Sequence, residues 1–320
     1  MMRRLALLCT LSLVFACSKN DQVDQHQSSL SLDEQVSAIS GAKLFGKALA
    51  EADLDLEGQS LTILAPTDAS LELFLNDWEV SNFTELKSLI GDTYYNAWLG
   101  SHIIPEAAKL ENLHSAFVPT LAENSNNRSV NMHFWRSKSL VRINGHMLNM
   151  PVKDQVLSQG YLHQIDEVLR PATLNVLVSA HRSEFSILNR ALQVCNLAPL
   201  LNNDQNQYTL LAPNDAAFDR YFQSMGCGDL DGYLADHGVA ALTDLIKAHL
   251  INGAHNLSNL SGRSLSSQLA SANLSVELLG GNLIVSRNAS AYASQAQVLV
   301  TDITAFNGSL NIINEVLKLP

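Results

Sequence analysis

The chain writes one phrase twice, TILAPTDA at Thr62–Ala69 and TLLAPNDA at Thr209–Ala216. Two further landmarks recur in the same order. LGSHII at Leu99–Ile104 is matched by IKAHLI at Ile246–Ile251, which sets His102 and His249 at the same offset of 147 as the phrases. IDEVLRP from Ile165 is answered by INEVLKLP from Ile313. Upstream, Leu44, Phe45, Ala48, Leu49 and Ala52 have counterparts in Ile187, Leu188, Ala191, Leu192 and Cys195 at an offset of 143. Ordered landmarks at a nearly constant spacing mean a duplicated domain, not a duplicated motif. The drift from 143 to 147 places a small insertion in the second copy, near NNDQNQ. A length of 320 residues accommodates two domains, each able to bury its own core. We assign 32–171 to the first and 172–320 to the second, with almost no linker at Pro171.

The upstream apolar positions recur at helical spacing and predict an amphipathic helix at the start of each copy. A short apolar strand then runs into Pro66 or Pro213. Thr67 and Asn214 are N-cap residues, and Asp68 and Asp215 in the first turn place negative charge at the positive end of the helix dipole. Phe74 in one copy and Phe218 with Phe222 in the other supply that helix's buried face. The later part of each copy turns to strands, including SLVRING in the first and VELLGGNLIVS in the second, where Gly280, Gly281 and Asn282 read as a hairpin turn. Helices first and strands later predict an α+β architecture.

A net charge of −11, with no run of Lys and Arg to offset it, argues against nucleic acid and anionic lipid as partners. Arg3 and Arg4 precede an apolar run, Leu5–Phe15, that is too short to span a bilayer. This predicts an export signal over 1–16. Ala16–Cys17 resembles the lipobox of bacterial lipoproteins, with Cys17 as the acylated anchor; the alternative is an ordinary secretory signal with Cys17 left free. Ser18 resembles the outer-membrane sorting pattern, and 17–31 reads as a polar tether. The expected location is a bacterial cell envelope, on its surface or periplasmic face, with membrane contact through the lipid alone. Cys195 and Cys227 then remain as a pair in an oxidising compartment and are expected to form one disulfide, the alternative being two buried thiols.

The strand–Ala–Pro–Thr/Asn–Asp–Ala phrase, the apolar-flanked His and the closing IDEVLRP together resemble the fasciclin-type (FAS1) domain in both halves. The resemblance implies a wedge of twisted β-strands with several packed helices, and a role in cell adhesion or matrix contact. Animal members often carry Tyr directly before the motif His; here Ser101 and Ala248 stand there, so integrin recognition is not carried over. We read Pro66, Thr67, Asp68, His102, Pro213, Asn214, Asp215 and His249 as structural. Asp166 becomes Asn314 in the second copy, an exchange that a reacting carboxylate would not survive but a capping acceptor would. No His-Glu-x-x-His, nucleophile elbow, Walker loop or dinucleotide fingerprint occurs. The chain is therefore expected to be no enzyme and to need no metal or cofactor. The expected function is an envelope adhesion module for a protein or polysaccharide partner. The alternative is a glycan or small-molecule binder using Trp78, Trp98, Trp135, Tyr94 or Tyr95, whose ordinary role is core packing.

Overall fold

A computed structural model describes residues 30–269, 273–287 and 294–319. The expected signal, Cys17 and most of the tether lie outside the described residues.

The first copy begins with α1 (Leu32–Ser37) and α2 (Lys43–Ala50), followed by strand β1 (Leu61–Pro66). Three helices come next, α3 (Asp68–Asp77), α4 (Phe83–Ile90) and α5 (Asp92–Gly100), and then β2 (Ile103–Ile104). The strand-rich part runs β3 (Ala116–Glu123), β4 (Ser129–Ser137), β5 (Leu140–Ile143), β6 (His146–Leu148), β7 (Gln155–Leu157) and β8 (Gly160–Ile165). The second copy repeats the order with α6 (Leu174–Ala180), α7 (Ser186–Val194), α8 (Ala198–Asn202), β9 (Tyr208–Pro213), α9 (Asp215–Met225), α10 (Leu230–Ala248) and β10 (Leu250–Asn252). It closes with β11 (Arg263–Ser266), β12 (Asn273–Leu279), β13 (Asn282–Arg287), β14 (Ser294–Ala305) and β15 (Gly308–Ile313). The fold is α+β in tandem. The insertion inferred near NNDQNQ falls beside α8, and Gly280–Gly281 turns the β12–β13 hairpin with both residues at positive φ.

In each copy the motif strand lies inside its sheet, one place from the edge, and is buried on both faces, which explains its unbroken apolar run. Leu61, Ile63 and Ala65 face the helices, packing with Phe45, Leu71, Phe74 and Trp98, while Leu64 faces Phe134, Val141 and Ile143 of the other sheet. The second copy divides its core in the same way, with Leu210 and Ala212 on one face and Leu211 on the other. Helices α4 and α5 meet at Gly91 with φ 79°, and α10 breaks at Gly238 with φ 78°. One bend thus serves both copies, in a backbone region that favours glycine.

The copies differ in how their sheets close. The first holds two four-stranded sheets, β2-β1-β8-β7 and β3-β4-β5-β6, whereas the second runs as one sheet, β10-β9-β15-β14-β13-β12-β11. The long β14 pairs with β13 through its first half and with β15 through its second. The corresponding stretch of the first copy is split into β6 and β7 by the segment holding Pro151, which cannot donate to a ladder.

Gly160 and Gly308 open the closing strands beside the motif strands. A Cβ on either would stand 2.0 Å from a backbone oxygen, that of Leu61 or Tyr208. Gly160→Ala and Gly308→Ala should each cost their own domain ~3 kcal/mol or more, because the obstruction is backbone. All three tryptophans lie in the first copy. Denaturation followed by tryptophan fluorescence should therefore shift for Gly160→Ala, and the Gly308→Ala change should appear chiefly in far-UV circular dichroism; a change below ~1 kcal/mol would contradict the close approach.

Candidate functional site

Parallel pairing of β1 with β8 sets Pro66 opposite Ile165, and pairing of β9 with β15 sets Pro213 opposite Ile313. The first phrase of each copy therefore lies against the last. Thr67 N donates to Ile165 O at 2.9 Å, and Asn214 N to Ile313 O at 3.3 Å. The side chains of Thr67 and Asn214 accept from Ser70 N and Ala217 N and cap α3 and α9. Asp68 and Asp215 turn away from their own helices. Asp68 Oδ1 accepts from Leu44 N at 2.7 Å, and the Asp215 carboxylate accepts from Ser186 N, Ser186 Oγ and Ile187 N. Each caps the preceding helix, α2 or α7, and so ties the motif to the start of its copy. This cross-helix role could not be read from the local sequence.

The motif histidines join the third landmark to the second. His102 is fully buried, its Nδ1 donating to Trp98 O at 3.0 Å while Nε2 accepts from Leu169 N at 2.9 Å. His249 repeats this with Leu245 O at 2.8 Å and Leu317 N at 2.9 Å. Both nitrogens are thereby committed and one neutral tautomer is fixed. Burial pushes His102 down to about 3 and His249 to about 4. Asp166 and Asn314 each accept one backbone amide, from Asn149 and Gln297, which is why carboxylate and amide can exchange. Sequence reasoning passed over Thr62 and Thr209, whose hydroxyls donate to Glu106 O and Gly253 O and accept from Ala108 N and His255 N. Their signal was the first letter of the repeated phrase.

A second concentration of polar and aromatic groups lies where the copies meet. Thr304 N donates to Asn131 Oδ1 at 2.9 Å, and buried Asn124 donates through Nδ2 to Ala305 O at 3.2 Å. Phe306 packs on Ala97, Ala122 and Val130 and meets the Tyr94 ring edge-on at 5.5 Å. Nearby, His133 stacks on His181 at 4.6 Å with Phe117 edge-on to both. The Nδ1 atoms of both histidines are buried without partners. Burial lowers both, His133 to about 4 with the charge of His181 as a second cause. None of these residues belongs to a repeated landmark, so the sequence offered no signal for them.

The aromatic candidates do not form a row. Trp98 and Tyr95 are in the core, Trp78 packs on Phe74 beside Arg170, Tyr94 faces the other copy, and Trp135 carries Arg142 over its ring at 4.9 Å. Cys195 and Cys227 correct the expected disulfide, because both are free thiols. The Cys195 thiol faces Thr243 and that of Cys227 faces Asp236, on opposite sides of the Gly238 break in α10. Among the described residues no group of three or more His, Cys, Asp or Glu could hold a metal, and no helix is long and apolar enough to cross a membrane.

The family profile of the fasciclin domain matches twice, over 40–171 and 183–320. Among curated proteins, the transforming growth factor-beta-induced protein ig-h3 of Sus scrofa is 27% identical over 272 residues, covering 82% of this chain. The chain spans about a third of that relative, 35% of its length. Among solved structures, the FAS1 domain pair of the insect cell adhesion molecule Fasciclin I aligns with 90% of this chain and 96% of its own at 19% identity and a TM-score of 0.49.

The buried histidines make stability depend on pH. Each folded-state pKa lies below the ordinary 6.5, so the unfolded chain takes up the proton first. Stability is complete above pH 6.5 and falls as pH drops toward 4. Each of His102 and His249 should contribute a slope of ~1.4 kcal/mol per pH unit within that window. Urea unfolding at several pH values should show this fall, and His102→Ala should reduce it in the first copy, leaving the part due to His133 and His163, while costing ~2–4 kcal/mol at neutral pH. An unchanged slope would contradict the buried neutral tautomer.

Proposed function

Because the chain belongs to the fasciclin-domain family, with two copies in tandem, we propose that it is a non-catalytic interaction module of the cell envelope that contacts a macromolecular partner with both domains held as one unit. Fasciclin domains are associated with cell adhesion and extracellular-matrix contact, and proteins that carry them are extracellular or surface-associated. The observation that carries the reading is the fate of the motif side chains. His102, His249, Asp68 and Asp215 spend their hydrogen bonds on backbone groups, with the Ser186 hydroxyl as one further partner of Asp215, and none of the four is poised over a cavity as acid, base or nucleophile. The family's recurring residues hold the fold, so function falls to the surface.

The junction supports a two-domain reading of that surface. Asn131, Asn124 and Phe306 fix the copies through two cross-domain hydrogen bonds and an apolar contact. A fixed orientation reduces the entropy lost when both copies are engaged. We further propose that Cys17 anchors the chain through lipid, with the segment to Ser31 as its tether. An anchored module on a short arm suits contact with matrix, a neighbouring surface or another envelope protein.

Beads bearing the secreted chain should adhere to cells or matrix, and Phe306→Asp, which removes the apolar contact between the copies and loosens their mutual orientation, should weaken adhesion at least ~10-fold. Full adhesion by one copy alone, or turnover abolished by a single cavity substitution, would refute the reading. Cys17→Ser should release the chain from the membrane fraction; retention as firm as in the unmodified sequence would refute the anchor.

A further inference from the structure

Basic charge is unevenly placed in this acidic chain. Residues 124–153 hold Arg128, Arg136, Lys138, Arg142 and Lys153 and no Asp or Glu, so all 31 acidic residues lie elsewhere. The fold brings three of these cations together, with Arg136 on β4, Arg142 on β5 and Lys138 in the turn between them, while Arg128 precedes β4 and Lys153 follows β6. The β4–β5 turn presents exposed Lys138, at φ 54°, and Leu140, which is 51% exposed. Register places Trp135 opposite Arg142 and Arg142 opposite Met147 on the face away from the core. With a guanidinium over the Trp135 ring, a partner first meets Lys138, Leu140 and Met147. That mixture of charge and aliphatic surface suits a protein better than the stacked face of a sugar.

The other end of β4 borders an acidic cleft, with Arg128 beside it in the β3–β4 turn. A cleft of about 410 Å³ is rimmed by Asp53, Asp55 and Glu123 over Leu54 and Leu121, with no Lys or Arg among its lining residues. Such a cleft fits a lysine, whose aliphatic stem lies on leucine while its ammonium reaches carboxylates. Glu123 ends β3, where it turns into β4, and Lys138 follows the far end of β4. Nine residues of strand separate cleft from tip by roughly 30 Å, so one chain cannot satisfy both.

We propose that copies of this chain associate head to tail, the Lys138–Leu140 turn of one seated in the Asp53–Asp55–Glu123 cleft of the next. The inference rests on the reading of the chain as an interaction module and names a second copy as partner. Unlike surfaces meet, so the contact does not close on itself as a two-fold dimer and can extend from copy to copy. The buried area is small, so the pairing is weak in solution and gains strength where many copies are held on one surface.

Sedimentation velocity of the secreted chain from roughly 5 to 500 µM should show a sedimentation coefficient that rises with concentration. The rise should shrink between about 0.05 and 0.5 M salt, as screening requires. Lys138→Glu and Asp53→Lys/Asp55→Lys, all at exposed positions, should each weaken association about ten-fold or more. An equimolar mixture of the two variants should associate more strongly than either variant alone, since an intact tip meets an intact cleft and the two reversed charges again complement each other. Circular dichroism and urea unfolding should show both variants folded. A chain that stays monomeric throughout, association indifferent to both variants, or a mixture that fails to pair would overturn the proposal. Binding of monomeric chain to polyglutamate through Lys138, without self-association, would overturn it in favour of a foreign anionic protein while leaving the interaction-module reading intact.

Discussion

Parallel pairing of the motif strand with the closing strand holds each copy together. Pro66 and Ile165 lie 99 positions apart, so the helices and the second sheet of the first copy form the crossover that joins these parallel neighbours. Closing so large a loop costs entropy, and the central strands offset it by burying apolar side chains on both faces. Once β1 and β8 are paired, the end of α5, the start of α3 and the segment after β8 are neighbours. The other motif contacts depend on that proximity.

The motif histidines and aspartates share one logic. Each supplies hydrogen bonds to backbone groups that the crossover leaves buried or at a helix end, where an unpaired donor would cost about 1–3 kcal/mol. His102 can donate at one nitrogen and accept at the other only while neutral. The arrangement that holds the fold therefore excludes a charged imidazole at neutral pH. A histidine bound in this way is a structural part, and its recurrence in both copies follows from the shared topology.

The surfaces behave differently because duplication did not preserve them. Asn131, Phe306 and the stacked His133 and His181 occur where one copy meets the other, outside the repeated landmarks; His181 and Phe306, for example, stand where the other copy has Ala38 and Ser158. The sheets diverge as well. Pro151 interrupts in the first copy what β14 carries through in the second, and the first copy's separate β3–β6 sheet carries the Lys138–Leu140 turn. Each copy thus presents its own surface while sharing its interior.

How much was legible can be argued from particular residues. The repeat, the two-domain division, the strand ending at Pro66 or Pro213 and the Gly280–Gly281 hairpin are local patterns, and local sterics and periodicity suffice to read them. Asp68 was placed correctly in a first turn, but its hydrogen bond goes to the amide of Leu44, and a partner that far upstream has no local signal. The disulfide expectation failed because it rested on a count of cysteines in an oxidising compartment, whereas bonding requires thiols aimed at each other. The sequence by itself determined the periodic and local features: the duplicated α+β domain, its buried motif strands and the overall acidic charge. Only the tertiary structure decided which side of each strand faces the other copy, that Arg136, Lys138 and Arg142 come together at one hairpin, and that the motif side chains are consumed in holding the fold. Those outcomes depend on pairing between distant residues, and spacing along the chain does not encode it directly.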